Sequence, residues 1–115
     1  MDECKNIERI HFDFDRFEIK NEFRSNVQKL AGCLEAYPEL NVTIEGHTDE
    51  KGTPAYNMVL GEKRAAAVLG FLKNMGIAMS RIKTISFGEK QPLTSESNEQ
   101  AWYQNRRAEF KLRGR

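Results

Sequence analysis

An arginine interrupts the apolar face of a predicted helix in the middle of the sequence. The helix is predicted from Thr53 and Pro54 to about Asn74, and residues on one of its faces recur at intervals of three and four. Because burying an isolated charge costs many kcal/mol, Arg64 is expected to have a carboxylate partner. The face comprises Asn57, Leu60, Gly61, Arg64, Val68, Phe71, Leu72 and Met75.

Asp49 is the predicted partner of Arg64, because it lies in the turn-rich segment 47–52 that leads into the same end of the helix. A closed Asp49–Arg64 ion pair would simply fix this loop to the helix. In a partly open pair, Asp49 would accept hydrogen bonds from an ammonium group while Arg64 forked onto a carboxylate. The positive N-terminal end of the helix would favour the same carboxylate. The open pair would recognise a zwitterion, and the pattern alone is compatible with both interpretations.

Other reactive side chains favour neither catalysis nor metal binding. His47 stands close to acidic residues, but no serine or cysteine lies in a nucleophile turn such as Gly-x-Ser-x-Gly. Two histidines and two cysteines without ligand spacing do not indicate zinc. We therefore predict no enzymatic activity, no metal and no cofactor, and we interpret His47 as a hydrogen-bonding group that orients its loop.

The charge distribution indicates solvated faces rather than a nucleic-acid site. The net charge is +1, with an excess of acidic residues in 1–50 and of basic residues in 51–115. Opposite charges that meet in one domain usually pair at its surface. The C-terminal basic cluster lacks interleaved aromatic residues for base stacking, so no nucleic-acid partner is expected. This cluster consists of Arg106, Arg107, Lys111, Arg113 and Arg115.

Four strands and two main helices are predicted to position these residues. Ile10, Phe12 and Phe14 alternate with polar residues as in a half-buried strand, and an amphipathic helix follows over residues 19–37. The last strand follows a short connection, which favours an antiparallel orientation. The result is a mixed sheet covered by helices, with a ligand crevice where strands end and helices begin. The remaining elements are strands around 42–45, 82–87 and 107–113 and a short helix around 99–104.

The size and cysteine content indicate one compact domain. A chain of 115 residues can bury its own core without metals or disulfides, and 39% of its residues are hydrophobic. Residues 1–7 are predicted to form a polar tail and residues 8–113 the domain. Cys4 and Cys33 are predicted not to form a disulfide framework, and Cys33 is interpreted as a small buried hydrophobic residue. No transmembrane stretch or signal peptide is apparent, a pattern that exported proteins also show after processing.

A long motif resembles the signature of OmpA-like domains, specifically their peptidoglycan-associated lipoprotein branch. The motif runs over residues 44–57 as IEGHTDEKGTPAYN and continues over residues 60–65 as LGEKRA. The resemblance covers about residues 8–113. Three shorter segments agree with it, namely FDFD at 12–15, SFGE at 86–89 and NRRA at 105–108.

The resemblance implies a fold and a ligand. The implied fold is α+β, a β-α-β-α-β-β mixed four-stranded sheet packed against two main helices, as in the C-terminal domain of OmpA. The implied ligand is uncrosslinked peptidoglycan stem peptide, bound through meso-diaminopimelate, whose side chain ends in an ammonium and a carboxylate. In the family, residues at the positions of Asp49 and Arg64 hold those two groups. Further residues expected to line the groove are Phe14, Asp15, Thr48, Asn57, Leu60 and Arg107.

The resemblance also implies a place in the cell envelope. The parent protein would be anchored by a lipid at the periplasmic face of the outer membrane of a Gram-negative bacterium. The domain would tether that membrane to the cell wall within a Tol-Pal type system, with peptidoglycan and TolB as partners. The lipid-bearing cysteine of the family follows a signal sequence, of which this sequence has none, and Cys4 is not identified as that cysteine.

Two departures from the branch and two alternatives complete the prediction. Ala55 stands where the branch often has glutamate, and Phe87 stands where it often has tyrosine, which removes one possible hydroxyl contact. The alternative within the family is the wall-binding tail of a porin or a flagellar stator, which the motif at 52–54 disfavours. The alternative of another class is a hydrolase that acts on wall peptide or sugar with His47 and Asp49.

Overall fold

The computed structural model describes the backbone of residues 2–114 and the side chains of residues 4–114. Met1 of the predicted polar tail and Arg115 of the basic cluster lie outside the described residues. In chain order, the elements are α1 (Asp2–Lys5), β1 (Ile10–His11), a 3₁₀ turn (Asn21–Phe23), α2 (Arg24–Ala36), β2 (Asn41–His47), α3 (Pro54–Asn74), a second 3₁₀ turn (Met79–Arg81), β3 (Ile82–Gly88), α4 (Glu99–Asn105) and β4 (Arg107–Arg113).

The four strands form one mixed sheet in the spatial order β1-β4-β2-β3. β2 and β3 run parallel, and β4 runs antiparallel to both β1 and β2. The predicted α+β class, mixed sheet and antiparallel last strand are therefore confirmed. The C-terminal ends of β2 and β3 meet at one edge, where the backbone N–H of Thr48 donates to the carbonyl of Gly88 at 2.9 Å.

The core lies where the sheet meets α2 and α3. Removing each of these large apolar side chains from water stabilises the fold by about 1.5–3 kcal/mol. No described helix has the combination of length and apolar composition that crossing a bilayer requires. The fully buried core residues come from β1 and the segment after it, from both helices and from β2: Ile10, Phe12, Val27, Leu30, Leu34, Val42, Ile44, Val68 and Leu72.

The helix α3 begins and ends at the predicted residues. The Thr53 hydroxyl accepts a hydrogen bond from the backbone N–H of Tyr56 at 3.1 Å, and Pro54 occupies the first helical position, where no N–H is needed. At the other end, Gly76 has a φ of 93°, which glycine adopts readily. Local capping chemistry thus fixes the helix that carries Arg64.

Two glycines bring α3 unusually close to β2. A side chain at Gly46 would clash with the backbone of Gly61, and a side chain at Gly61 would clash with Ser86. Arg64 follows Gly61 by three residues, which is nearly one helical turn. The glycine contact therefore presses the base of the Arg64 side chain against the end of β2.

The first strand is shorter than predicted. β1 contains only Ile10 and His11, and the chain then turns, with the N–H of Arg16 donating to the carbonyl of Asp13 at 3.1 Å. Asp15 has a φ of 58°, a left-handed conformation that aspartate tolerates better than most residues. The alternation up to Phe14 wrongly predicted more strand, because a turn that points Phe14 to solvent gives the same apolar–polar pattern.

A disulfide joins Cys4 to Cys33, with the two Cα atoms 5.6 Å apart. The burial predicted for Cys33 is confirmed, but the prediction that the cysteines form no disulfide was wrong, because pairing depends on a tertiary contact that spacing does not reveal. The bond fastens α1 to α2 across a separation of 29 residues. Closing a loop of this length stabilises a fold by about 3–4 kcal/mol in the chain-entropy model.

Candidate ligand-binding site

Two loops and a helix meet at the edge where β2 and β3 end. The first loop is the turn at residues 13–16 (the β1 turn), and the second connects β2 to α3 over residues 48–53 (the β2–α3 loop). Arg64, at the centre of α3, donates hydrogen bonds to the β1 turn and to the last residue of β2. These three segments surround the buried side chain of Arg64, at the edge of the sheet where the order of strands and helices predicted a ligand crevice.

The side chain of Arg64 is fully buried and bonds only to backbone carbonyls. Its Nε donates to Arg16 at 2.8 Å, its Nη1 to His47 at 2.8 Å and its Nη2 to Asp13 at 3.2 Å. Its guanidinium also lies 5.1 Å from the centre of the Phe12 ring. The prediction that a carboxylate of the protein pairs with Arg64 was wrong, since Arg64 forms no ion pair with any side chain in residues 4–114. Three carbonyls take up the N–H groups without neutralising the charge.

Burial lowers the pKa of Arg64 to about 10. The negative charges of Asp49 and Asp15 oppose this effect of burial on the pKa, whereas the positive charge of Arg106 adds to it. Even so, the guanidinium stays charged at neutral pH. The site therefore holds a buried cation whose nearest counter-charges do not touch it.

Asp49 is also buried, but Arg106 rather than Arg64 is its partner. One carboxylate oxygen of Asp49 accepts the backbone N–H of Lys51 at 2.9 Å, and the other lies 3.4 Å from Nη1 of Arg106. The closed Asp49–Arg64 ion pair, one of the two interpretations of the sequence, is therefore not formed.

Arg106 is the site residue that sequence reasoning missed. It is buried, and its Nε donates to the carbonyl of Phe12 at 2.8 Å while its Nη2 bonds Glu99 at 2.9 Å. The signal was present, because Arg106 has the same even parity as Ala108, which lies on the buried face of β4. Extending the alternation by one step would have placed Arg106 inside.

Asn57 and Thr48 hold the β2–α3 loop in shape. The buried Nδ2 of Asn57 donates to the carbonyl of Lys51 at 2.9 Å and to Oε1 of Glu89 at 2.7 Å, with a longer contact to the carbonyl of Asp49 at 3.4 Å. The Thr48 hydroxyl donates to the carbonyl of Asp49 at 2.9 Å. Both residues, which were predicted for the groove, thus hold the backbone of the loop on either side of the Asp49 side chain.

The rim of the crevice is exposed and partly aromatic. The hydroxyl of Tyr56 donates to the carboxylate of Asp15, and this hydrogen bond joins α3 to the β1 turn. Tyr56 is 51% exposed and Phe14 is 55% exposed. The ammonium of Lys51 lies 5.0 Å from the centre of the Phe14 ring and 3.8 Å from that of Trp102. Phe14 and Asp15 were predicted for the groove, whereas Tyr56 was not.

Two further residues, Leu60 and Arg107, were predicted for the groove. Leu60 is buried on α3, one turn before Arg64. Arg107 is buried and donates to the carbonyls of Gln91 at 2.9 Å and Asn105 at 3.2 Å. Its guanidinium also bonds Glu109, next to it on β4. The contacts of Arg107 therefore link β4 to the segment after β3 rather than to Asp49 or Arg64.

The ring of His47 packs beneath the site rather than into it. Its Nε2 lies 3.2 Å from Oε1 of Glu45, and its ring stacks on that of Phe87 with centres 5.4 Å apart. Burial lowers the pKa of His47, and the positive charge of Arg107 lowers it further. The contact with Glu45 agrees with its interpretation as a hydrogen-bonding group, while its backbone carbonyl serves Arg64 directly.

Comparison with known proteins places this geometry in a family. Residues 11–106 match the model of the OmpA family. The chain belongs to the OmpA family. A relative from Brucella melitensis biotype 1, named peptidoglycan-associated lipoprotein, is 42% identical over 107 residues, which cover 93% of this chain and 64% of the relative. The OmpA-family chain thus spans less than two thirds of that relative's length.

Solved structures share the fold. The crystal structure of the peptidoglycan-associated lipoprotein from Burkholderia pseudomallei superposes with a TM-score of 0.89 at 34% identity, covering 91% of this chain and 89% of that one. The C-terminal domain of Helicobacter pylori MotB superposes with a TM-score of 0.85 at 17% identity, covering 94% of this chain and 85% of that one. At that identity, the MotB likeness concerns the fold alone.

Proposed function

We propose that this OmpA-family domain binds the stem peptide of peptidoglycan without catalysis and thereby tethers the outer membrane to the cell wall. The observation that carries the proposal is the buried guanidinium of Arg64, which touches no carboxylate of its own protein in residues 4–114. A cation held in this way is suited to an anionic ligand. The names of the relatives, which refer to peptidoglycan, support the same ligand.

The carboxylate of the ligand is assigned to Arg64. A guanidinium has five N–H groups, and three of those of Arg64 are used by carbonyls. The remaining two, one on each terminal nitrogen, have no acceptor among the described residues. Two such donors can bind both oxygens of one carboxylate. We infer that this carboxylate is the one at the end of the meso-diaminopimelate side chain.

The ammonium of the ligand is assigned to Asp49. Its two oxygens offer about four acceptor positions, of which the backbone N–H of Lys51 and the guanidinium of Arg106 use two. A ligand ammonium would bind beside Arg106, whose long 3.4 Å contact leaves the carboxylate only partly committed. Phe14 and Asp15 would line the exposed rim. Thr48 and Asn57 would support the wall formed by the β2–α3 loop, and Leu60 would support α3 one turn before Arg64, whereas Arg107 would act only through the fold.

Access to Arg64 requires the rim to open. The Tyr56–Asp15 hydrogen bond spans the gap between α3 and the β1 turn, and both residues are near enough to Arg64 to influence its pKa. The Tyr56 side chain is half exposed, so it can rotate away without disturbing the core. We propose that the ligand carboxylate replaces this bridge and takes up the two unused N–H groups.

The proposed cellular role is reversible tethering. A parent protein anchored by a lipid that precedes the domain would hold the periplasmic face of the outer membrane against the wall, within a Tol-Pal type system that includes TolB. The lipoprotein name of the relatives supports this role. No bond is made or broken in the binding step, so the domain acts as a connector rather than as an enzyme.

A titration tests the ligand pair. A stem-peptide fragment that contains meso-diaminopimelate is titrated into the unaltered protein, Asp49→Ala and Arg64→Ala, and each variant is expected to weaken binding at least about tenfold, or about 1.4 kcal/mol. Arg81→Ala is the matched control, because Arg81 also donates only to carbonyls but lies just before β3, at the other end of the sheet. If both site variants bind the peptide as tightly as the unaltered protein, Asp49 and Arg64 are not the ligand-binding pair.

A second peptide assigns the carboxylate. Lysine in place of diaminopimelate keeps the ammonium and lacks the side-chain carboxylate, so it should bind the unaltered protein and Arg64→Ala equally.

Incubation with purified peptidoglycan tests the absence of catalysis, and released wall fragments would show that the protein is a hydrolase instead.

A further inference from the structure

The disulfide closes a covalent loop around the part of the site that holds Arg64. The segment between Cys4 and Cys33 contains β1, the β1 turn and most of α2. Two of the three carbonyls bonded to Arg64, those of Asp13 and Arg16, lie inside this segment. The N-terminal boundary of the loop is therefore linked directly to the helix α2.

The enclosed segment is attached on its N-terminal side by a short strand and by side-chain contacts around it. β1 pairs with β4 through only two residues, Ile10 with Ala108 and His11 with Arg107. Beside these pairs, Arg9 lies 3.4 Å from Oε1 of Gln104, and Nδ1 of His11 lies 3.0 Å from the carbonyl oxygen of Tyr103. Phe12 follows, with its N–H donating to the carbonyl of Arg106 at 3.0 Å and its carbonyl accepting from Nε of Arg106. The β1 turn follows at once. Tension on an unlinked N-terminus would reach the site after peeling off this short edge strand.

We infer that the Cys4–Cys33 disulfide transmits tension from the N-terminal chain directly to α2 and so keeps that tension away from the binding site. This role is called the clip below. A pull on the chain before Cys4 passes through the two sulfurs into α2 and bypasses the enclosed segment. The carbonyls of Asp13 and Arg16 then stay in place on Arg64 while the protein is pulled. The inference rests on the proposed tethering function, in which the membrane anchor precedes the domain.

The burial of the bridge favours a permanent clip over a redox switch. Cys4 is 5% exposed and Cys33 is 3% exposed, so a soluble thiol has little access to either sulfur. The bridge also joins a helix of four residues, α1, to the C-terminal part of a helix of 13 residues, α2. The short helix gains a fixed position that its own length would not give it.

The test measures how long the domain holds peptidoglycan under tension. The protein is pulled at constant force through a handle at its N-terminus while bound to a surface of purified peptidoglycan, with and without the double substitution Cys4→Ser, Cys33→Ser. At zero force, the two proteins should bind with similar affinity. Under tension, the bound lifetime of the double variant should be at least about tenfold shorter. Equal lifetimes under tension would overturn the clip.

Two controls keep the outcome interpretable. Leu72→Ala removes a fully buried side chain outside the loop and keeps the disulfide, so it should retain the long lifetime if tension, and not general instability, decides the result. The second control needs no loss of the disulfide, because the handle is moved to position 22, inside the loop. Pulling the unaltered protein from there should shorten the lifetime, and an unchanged lifetime would contradict the clip.

The experiment also separates the two proposals. If neither protein binds peptidoglycan at zero force, the proposed function is wrong. If both bind at zero force and have equal lifetimes under tension, the function stands and the clip is wrong.

Discussion

Arg64 and Arg106 are buried at the same end of the sheet, yet their charges are balanced in opposite ways. Arg106 bonds two carboxylates, those of Asp49 and Glu99, and one carbonyl. Arg64 bonds three carbonyls and no carboxylate of residues 4–114. The charge of Arg106 is thus balanced by direct contacts within the protein, whereas the carboxylates of Asp49 and Asp15 act on the charge of Arg64 only from a distance.

On the proposed function, this difference separates a structural cation, Arg106, from a ligand-binding cation, Arg64. Both arginines satisfy the hydrogen-bonding demand of burial, but only Arg106 satisfies the electrostatic demand as well. Hydrogen bonding and charge compensation are separate requirements, and the sequence argument for Arg64 had merged them. A site that meets the first and not the second is prepared to accept an anion.

Removing Arg106 should have the largest effect on stability. Arg106→Met leaves the buried carboxylate of Asp49 without its partner, which typically costs about 3–5 kcal/mol. Urea unfolding of the variant and the unaltered protein measures this loss. A cost below about 1 kcal/mol would break the comparison, because Arg106 would then not be compensating a buried charge.

Removing Arg64 should destabilise the protein less. Arg64→Met leaves three carbonyls without donors, but it also removes a buried charge that no carboxylate contacts, so the expected loss is about 1–3 kcal/mol. Binding of the diaminopimelate peptide should fall at least about tenfold. Arg81→Met is the control in the same unfolding and titration experiments, and it should lose stability while keeping the ligand.

Mild acid should destabilise the fold through histidine rather than through either arginine. Because burial holds the pKa of His47 below its ordinary 6.5, the unfolded chain takes up a proton first as the pH falls below that value, and stability declines. The ring faces Arg107, Glu45 and Glu109. The pKa of Glu109 is lowered to about 2, so its contribution is lost only below its ordinary 4.5.

Unfolding measured at about pH 7 and about pH 5 checks this expectation. His47→Gln should reduce the difference between the two pH values without abolishing it, because burial also lowers the pKa of His11. An unchanged difference in the variant would mean that His47 is not the group responsible.

Removing Glu99 should have the smallest effect. Its side chain is 68% exposed, and exposed ion pairs typically contribute below about 1 kcal/mol. Glu99→Gln should therefore leave stability nearly unchanged, in contrast to Arg106→Met. A loss of stability comparable to that of Arg106→Met would mean that Glu99, rather than Asp49, balances most of the charge of Arg106.

Local patterns predicted the elements of the fold, and tertiary contacts decided the rest. Thr53 and Pro54 define the start of α3 by their own chemistry, so the sequence located it correctly. The disulfide of Cys4 and the end of β1 depend on what the folded chain brings alongside, which periodicity does not contain.

The candidate site divides in the same way. The periodicity of α3 correctly predicted that Arg64 is buried. It could not show whether the guanidinium bonds Asp49, Asp15 or backbone carbonyls. The pairing of Asp49 with Arg106 joins residues 57 positions apart, from a loop and the start of the last strand. The only sequence signal that predicted burial of Arg106 was the alternation of β4. Using it required extending the alternation to the residue before the strand.

The glycine contact between α3 and β2 matters for anyone who wishes to redesign the ligand preference of this domain. No side chain fits at Gly46 or Gly61 without moving the helix or the sheet, so this helix–sheet contact, here called the floor, offers no position for a new group. Exposed rim residues such as Phe14 and Tyr56 carry no such restriction. Libraries that vary the rim and preserve both glycines should therefore yield folded variants far more often than libraries that vary the floor.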